Sequence, residues 1–568
     1  MRGPSSVALL VALCVSVGCG ERRPSSPAPA SETPRAGGVE SPTQPRPEPD
    51  PGAEEVFDGE RHVDMGALRP IRGSVAFPVA AAPVTLNPLT SAVPRERKLV
   101  GTFLALPLLQ LHPEELDLIP WLAASRPSVG EDGRTLTWRL RDEARWDDGA
   151  AITADDAVAT FEAIIAGGAS TAGVRGSLGP VTAVEKVDER TFRVLYDQPY
   201  LLAEHSFGLN FIVAPATGEG AATSVRHLEG SGPYRVASWG DGEVKFERKG
   251  DWWGDAVDTF HNRYRVAEFV VRTVSDPVQI REQLKAGRLD FAGVDPDTFY
   301  ALKEVASLTG AAYHLAQWSY VGWNCTHPTF SDSRVRAAMS HLLPRDLLNA
   351  RYNHGDAIAV SGPFYYRSVF YDPNVAPRAF DPERARSLLG EAGWRDTDGD
   401  GLLDRGGRAF EFTLTYAHQS RAYAEPIVTH FGDVLEQVGI RLKPEVIDIG
   451  ALQGRLSKDA FEAYFLIWAT DPVLWDPGEL FHSEAIARWN WQNFCDEDVD
   501  RLIERYRTAR SDAARIGAAR RIHGRLHELQ PLMFVFNNAS YAVWNRRLHG
   551  VHAYALGIRE WDMYLEDD

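Results

Sequence analysis

The sharpest metal-ligand spacing in this chain lies in the segment Asp396-Thr-Asp398-Gly-Asp400-Gly401-Leu402-Leu-Asp404. Acids at the first, third, fifth and ninth positions, a glycine at the sixth and the Leu402 carbonyl at the seventh reproduce most of a calcium loop. Gly407 stands where the bidentate acid belongs, so the segment reads either as a structural calcium site or as an acidic turn. Cys325 and Cys495 either pair, as an exported compartment permits, or stay free thiols. His523 and His527 are spaced i, i+4, but Gly524 replaces the glutamate that a zinc protease needs there. Gly230-Ser-Gly232 lacks the Gly-x-Ser-x-Gly spacing of a nucleophile elbow. No Walker loop or dinucleotide fingerprint falls where a strand meets a helix. These residues assemble no catalytic constellation, which leaves an exported hydrolase a weak reading. Apart from the calcium site, no cofactor is required.

The elements that would position such residues begin well inside the chain. Arg2 and the apolar run Val7–Val17 precede Ser16-Val-Gly-Cys19, and the run is too short to span a bilayer. This start resembles the lipobox of bacterial lipoproteins, which implies lipidation of Cys19 and a membrane contact through that lipid. From Glu21 to Glu55 the chain is dominated by Pro, Ser, Glu, Arg and Gly, with nine prolines between Pro24 and Pro51. Such a stretch buries too little apolar surface to offset the entropy of ordering, so an extended tether is expected.

The remaining roughly 500 residues exceed one core and suffice for two or three lobes. A net charge of −18 and the absence of a long Lys/Arg cluster in the folded part argue against nucleic acid. Period-two patterns predict strands such as Thr135–Leu140, Thr191–Tyr196 and Val244–Arg248. Helical periodicity predicts Asp156–Ile165 behind a Thr153 cap, with further helices at Arg334–Leu343 and Asp512–Leu529. Strands alternating with helices along the whole body predict an α/β architecture.

Four segments carry a family resemblance in order: Leu140 to Val158 around Trp146-Asp-Asp-Gly149; Gly230-Ser-Gly-Pro-Tyr-Arg-Val followed by Gly250-Asp-Trp-Trp-Gly254; Trp323 to Met339; and Phe380-Asp-Pro-Glu through Ala392-Gly-Trp394. Together they resemble the family 5 bacterial extracellular solute-binding proteins, the dipeptide- and oligopeptide-binding group, over roughly Ser74 to Arg547. The resemblance implies a type II periplasmic-binding-protein fold of the large three-domain form. The lipobox resemblance and the Pro-rich composition place a signal segment at 1–18 and the lipidated tether at 19–72, ahead of this fold. Lobe I would comprise 73–107, 230–317 and 534–568, with an inserted subdomain at 108–229, and lobe II would span 318–533.

Capture of a peptide-like solute for the permease subunits of an ABC importer is implied, by a monomer. An oligosaccharide or a metal chelate is the alternative ligand on the same fold. By the same resemblance, an acid after Trp468 pairs with the ligand's α-ammonium. Asp471 matches by its offset from Trp468, with Asp476 competing for the alignment. Ser91-Ala92-Val93 and Trp323-Asn324 would border the cleft, with Trp323 and Trp468 as aromatic walls.

Overall fold

The period-two segments pair into four sheets of three or more strands in the computed structural model, which describes residues 66–91, 93–167, 171–213, 230–240, 242–486 and 488–566. The expected signal segment, Cys19, nearly all of the tether and Ala92 lie outside the described residues.

In the first sheet Arg72–Val79 runs parallel to Val266–Thr273, which pairs antiparallel with Glu243–Arg248 and through it with Tyr234–Gly240. Beside it Ser540–Asn545 lies between Phe291–Val294 and Leu308–Tyr313. The inserted region contributes a four-stranded sheet centred on Thr135–Arg139 and Thr191–Tyr196. Against it packs the helix Ala154–Ala166, whose Asp156 accepts from the Thr153 N–H at 2.7 Å and whose end is turned by Gly167 at φ 72°. The insert shares one continuous hydrophobic core with the first sheet, from Phe77 and Phe103 to Trp138 and Phe207.

The remaining large sheet has the order Arg441–Ile447, Glu411–Ala417, Ala463–Ala469, Gln317–Trp323, Leu532–Phe534. It is covered on both faces. Val321, Trp323 and Phe465 face one core with Phe330 and Phe412, whereas Trp318, Tyr320 and Trp468 face another with Trp475 and Tyr506. Sheet membership changes between Tyr313 and Gln317 and again between Phe534 and Ser540. Two adjacent strand crossings therefore connect the lobes, the arrangement that permits hinge motion.

Of the two alternatives for Cys325 and Cys495, the structure has free thiols. The Cys325 backbone N–H is fixed on the Gln492 carbonyl at 2.8 Å and its Sγ turns back toward the Trp323 carbonyl, 3.7 Å away, while Cys495 is exposed. Burial pushes the Cys325 thiol above its usual range, so it is protonated and unreactive at neutral pH.

Candidate functional site

A cavity of about 350 Å³ opens where the two crossing segments pass between the lobes. Its walls come from the strand end at Phe77–Ala80, the helix α1 (Pro94–Leu99), the crossings Leu315–Ser319 and Asn538–Tyr541, and Tyr423 and Ile467 of the large sheet's side. Aromatic groups, among them Phe103, Phe291, Trp318 and Tyr423, share its apolar surface with aliphatic side chains.

The start of α1 sets the polar side of this cavity. Ser91 Oγ donates to the Glu96 carboxylate, and that carboxylate also accepts from the Val84 N–H at 2.6 Å. Glu96 is thereby buried in the first helical turn, where the helix dipole favours an acid. The spacing i, i+3 then puts Arg95 and Lys98 together on the face that lines the cavity. Lys98 Nζ donates to Glu560 at 2.6 Å and to the Ile558 carbonyl at 3.3 Å, so the chain's last segment closes this wall. Arg95 has no ionic or hydrogen-bonding partner among the described residues; its Nε is buried and unsatisfied. Two buried acceptors on the same walls, Glu560 Oε2 and Asn538 Oδ1, also lack a donor. Buried unpaired polar atoms are costly, and these three lie where the polar groups of an entering molecule could satisfy them.

The residues singled out from sequence fall elsewhere. Ser91 is buried beside the cavity, clasping α1, and Val93 is the helix's exposed N-cap; the lining begins two residues later, at Arg95. Trp323 and Trp468 are core residues, 0% and 2% exposed, and line no part of the cavity. Trp323 packs on Phe330 at 4.6 Å between ring centroids and Trp468 on Trp489 at 6.1 Å. Their neighbours Trp318 and Ile467 reach the cavity instead. Asn324 donates to Asp459 at 2.8 Å and to the Phe461 carbonyl at 3.1 Å, which makes it a turn staple.

Asp471 and Asp476 stand on a loop that meets the inserted region. Asp471 Oδ2 lies 2.7 Å from His205 Nε2, and its Oδ1 accepts from the Val473 and Leu474 N–H groups. Burial is the largest single influence and works against the His205 imidazolium, but the Asp471 charge, its hydrogen bond and the Glu204 charge together outweigh it and hold His205 above its ordinary pKa. Burial is likewise the largest influence on the Asp471 carboxylate and opposes it, but the His205 charge and hydrogen bond together with the Val473 and Leu474 N–H groups outweigh it, holding Asp471 below its ordinary value. Asp476 accepts from Arg507 Nε at 2.9 Å and from the Gly478 N–H at 2.9 Å. Glu479 beside it, pressed by burial and by Asp476, is raised to about 7.

Of the expected calcium ligands, carboxylate oxygens of Asp396, Asp398 and Asp404 lie within 4.8 Å of one another. They also cap their own turn: Asp396 accepts from the Gly399 and Gly401 N–H groups, Asp398 from Asp400, Asp400 from Leu402, and Asp404 from Thr397. His523 is fully engaged, its Nδ1 accepting from the Asp372 N–H at 3.0 Å and its Nε2 meeting Ser361 Oγ at 2.9 Å. Burial lowers its pKa to about 4, so it is a neutral core histidine. Ser231 Oγ accepts from the Leu106 N–H and its carbonyl from the indoles of Trp252 and Trp253, which makes Gly230-Ser-Gly232 a scaffold turn.

Two α/β lobes joined by two crossings, with an aromatic cavity at the crossing, define a type II solute-binding fold. Residues 117–483 match the bacterial extracellular solute-binding proteins, family 5 (middle), and the chain belongs to that family. It is 26% identical over 440 residues to the oligopeptide-binding protein AppA of Bacillus subtilis, spanning 74% of this chain and 78% of that protein. The structure of that AppA in complex with a nonapeptide superposes with a TM-score of 0.68 at 21% identity, over 88% of this chain and 100% of the other. NikA from Brucella suis in complex with Fe(III)-EDTA superposes with a TM-score of 0.75 at 20% identity, over 87% and 100% of the two chains. Among the described residues no helix is long and apolar enough to cross a membrane.

Proposed function

We propose that this protein captures peptides outside the cytoplasmic membrane and presents them to the permease subunits of an ABC importer. The observation that carries this reading is the interlobe cavity, whose aromatic walls hold unpartnered acceptors and one unpartnered cation. A peptide supplies complements to all of them: amide N–H donors, a carboxylate, and apolar side chains for the aromatic surface. Likeness to a nonapeptide-bound relative supports the choice. An anionic metal chelate is the second reading, favoured by the free Arg95 and by likeness to a chelate-bound structure. Binding without turnover is the expected activity, by a monomer.

Thermal-shift screening of peptides, oligosaccharides and chelates tests the assignment. A ligand that binds only the folded state at about a hundredfold excess over its Kd adds about 2.7 kcal/mol of stability. Peptides are expected to raise Tm; a rise with sugars alone removes the peptide reading.

Anchoring belongs to the same proposal. Cys19 becomes the first residue of the mature chain and carries the lipid, with the Pro-rich segment as a leash to the cell-surface or periplasmic side. A Cys19→Ala variant is expected to leave the detergent phase or to retain its signal segment. Calcium at the Asp396–Asp404 turn is likewise proposed, as a structural ion.

A further inference from the structure

We propose that Arg95 is the anchor for a ligand carboxylate, so that this cleft selects peptides by their free C-terminus and tolerates a blocked N-terminus. The inference rests on the peptide reading above and deepens it.

The argument is one of charge accounting around the cavity. Its charged lining residues are Arg95, Lys98 and Glu560. Lys98 and Glu560 neutralise each other at 2.6 Å, with the Glu560 side chain only 4% exposed. Arg95 is left with a full charge, a buried Nε and no partner among the described residues. A guanidinium in such a setting gains most from a planar two-oxygen anion, which it meets with parallel N–H donors. A peptide's C-terminal carboxylate has that shape.

The other unpartnered atoms are acceptors. Asn538 Oδ1 and Glu560 Oε2 each require an N–H, and the amides of an extended peptide supply them. Glu560 already holds Lys98, so it suits a neutral N–H better than a second cation. The acids that could hold an ammonium, Asp471 and Asp476, are engaged by His205 and Arg507 and do not line the cavity. The walls therefore offer one uncompensated positive charge and no uncompensated negative one. A terminal ammonium gains nothing specific here.

The geometry of α1 explains why Arg95 stays free. Its helical neighbour Arg97 is turned away, donating to the Pro88 carbonyl and to Asn210. Glu96, the nearest acid in sequence, is committed to Ser91 and to the Val84 N–H. No local acid remains to quench Arg95, so the charge is held for what enters the cleft.

The test is titration calorimetry of the purified protein with matched synthetic peptide pools of three to nine residues: free acids, C-terminal amides and N-acetylated acids. The wild type is expected to bind free and acetylated acids alike and the amides at least about tenfold more weakly. Arg95→Gln is expected to lower affinity for the acids to that of the amides while leaving amide affinity unchanged; Arg95→Lys keeps part of the preference. The acid-to-amide ratio in the wild type stands independently of whether either variant folds. Equal binding of amides and acids, or loss of binding on acetylation alone, overturns the proposal. Fe(III)-EDTA is the fourth probe. If no peptide pool binds but the chelate does, and Arg95→Gln abolishes that binding, the peptide reading fails while the anion anchor stands. If Arg95→Gln binds that chelate as the wild type does, the anchor fails too.

Discussion

Two regions of this molecule, one on each lobe, treat charge in opposite ways. On the second lobe, the loop from Asp471 to Glu479 is rich in acids, and both aspartates are engaged by cations from elsewhere in the fold: Asp471 by His205 of the insert, Asp476 by Arg507. On the first lobe, α1 carries three basic residues close together, and one of them, Arg95, is left uncompensated at the cavity. Of the acids that look functional because they follow a tryptophan, Asp471 ties the second lobe to the insert and Asp476 pairs within its own lobe, while an arginine with no motif around it faces the space for a ligand. An uncompensated charge, more than a charged residue as such, marks a binding site, because a buried charge without a partner is unstable until something arrives to pair with it.

The largest expected effect comes from disturbing the first lobe's cavity wall from behind. A Cβ on Gly230 would stand 2.1 Å from the Leu104 carbonyl oxygen, a backbone atom that ends the helical run continuing α1. Gly230→Ala is expected to cost about 3 kcal/mol or more in urea unfolding and to weaken peptide binding, since the wall must shift. Unchanged stability would show that the wall yields easily and that Arg95 is not rigidly placed.

Next is the contact between insert and second lobe. Asp471→Asn leaves His205 without its counter-charge and is expected to destabilise the protein by about 1–3 kcal/mol. It is expected to leave the ratio of free to N-acetylated peptide affinity unchanged. A ratio that changes only in this variant means that Asp471 leaves His205 for a ligand ammonium, and the contrast between the two regions breaks.

The pH dependence has a definite sign. His205 is raised from 6.5, so its share of stability is present below 6.5 and lost as pH rises through the raised value. Asp471 is lowered from 3.8, so its share is present above 3.8 and lost as pH falls through the lowered value. Glu479, raised from 4.5 to about 7, makes stability fall as pH climbs through that interval. Denaturation at a series of pH values is expected to show the interlobe contact strongest on the mildly acidic side, with Glu479→Gln removing part of the slope. A wild type and an Asp471→Asn variant with parallel pH profiles would contradict the His205–Asp471 pairing.

Smaller effects follow at the edge of the same loop and far from it. Asp476→Asn keeps the acceptor for the Gly478 N–H and weakens the Arg507 contact, so about 0.5–1.5 kcal/mol is expected, together with a lower Glu479 pKa. Millimolar calcium is expected to raise Tm by about 1–2 °C through the exposed Asp396–Asp404 turn, with magnesium as the control. Identical melting with either ion or with chelator removes calcium from the description.

Local elements were well written into the chain. The strand Thr191–Tyr196 and the helix Asp512–Leu529 coincide with their periodic patterns, and the helix behind Thr153 extends from Ala154 to Ala166 because its cap chemistry is local. The same periodicity could not say which face of a strand looks into the cleft. Gln317–Trp323 and Ala463–Ala469 are buried on both faces, so alternation gives no polar side, and Trp318 with Ile467 reach the cavity where Trp323 and Trp468 do not. Arg95 and Lys98 carried one faint signal, two cations at i, i+3 behind the helix-starting Pro94.

By itself, then, the sequence determined the α/β alternation, the helix caps, the turns at Gly230 and Gly232 and the family to which the chain belongs, since each rests on neighbours a few residues apart or on ordered motifs. Tertiary structure alone decided which charges are spent and which are free. Lys98 meets Glu560 across 462 positions and His205 meets Asp471 across 266. Charge pairing at a few ångströms depends on where distant segments are brought together, and no spacing along the chain records it.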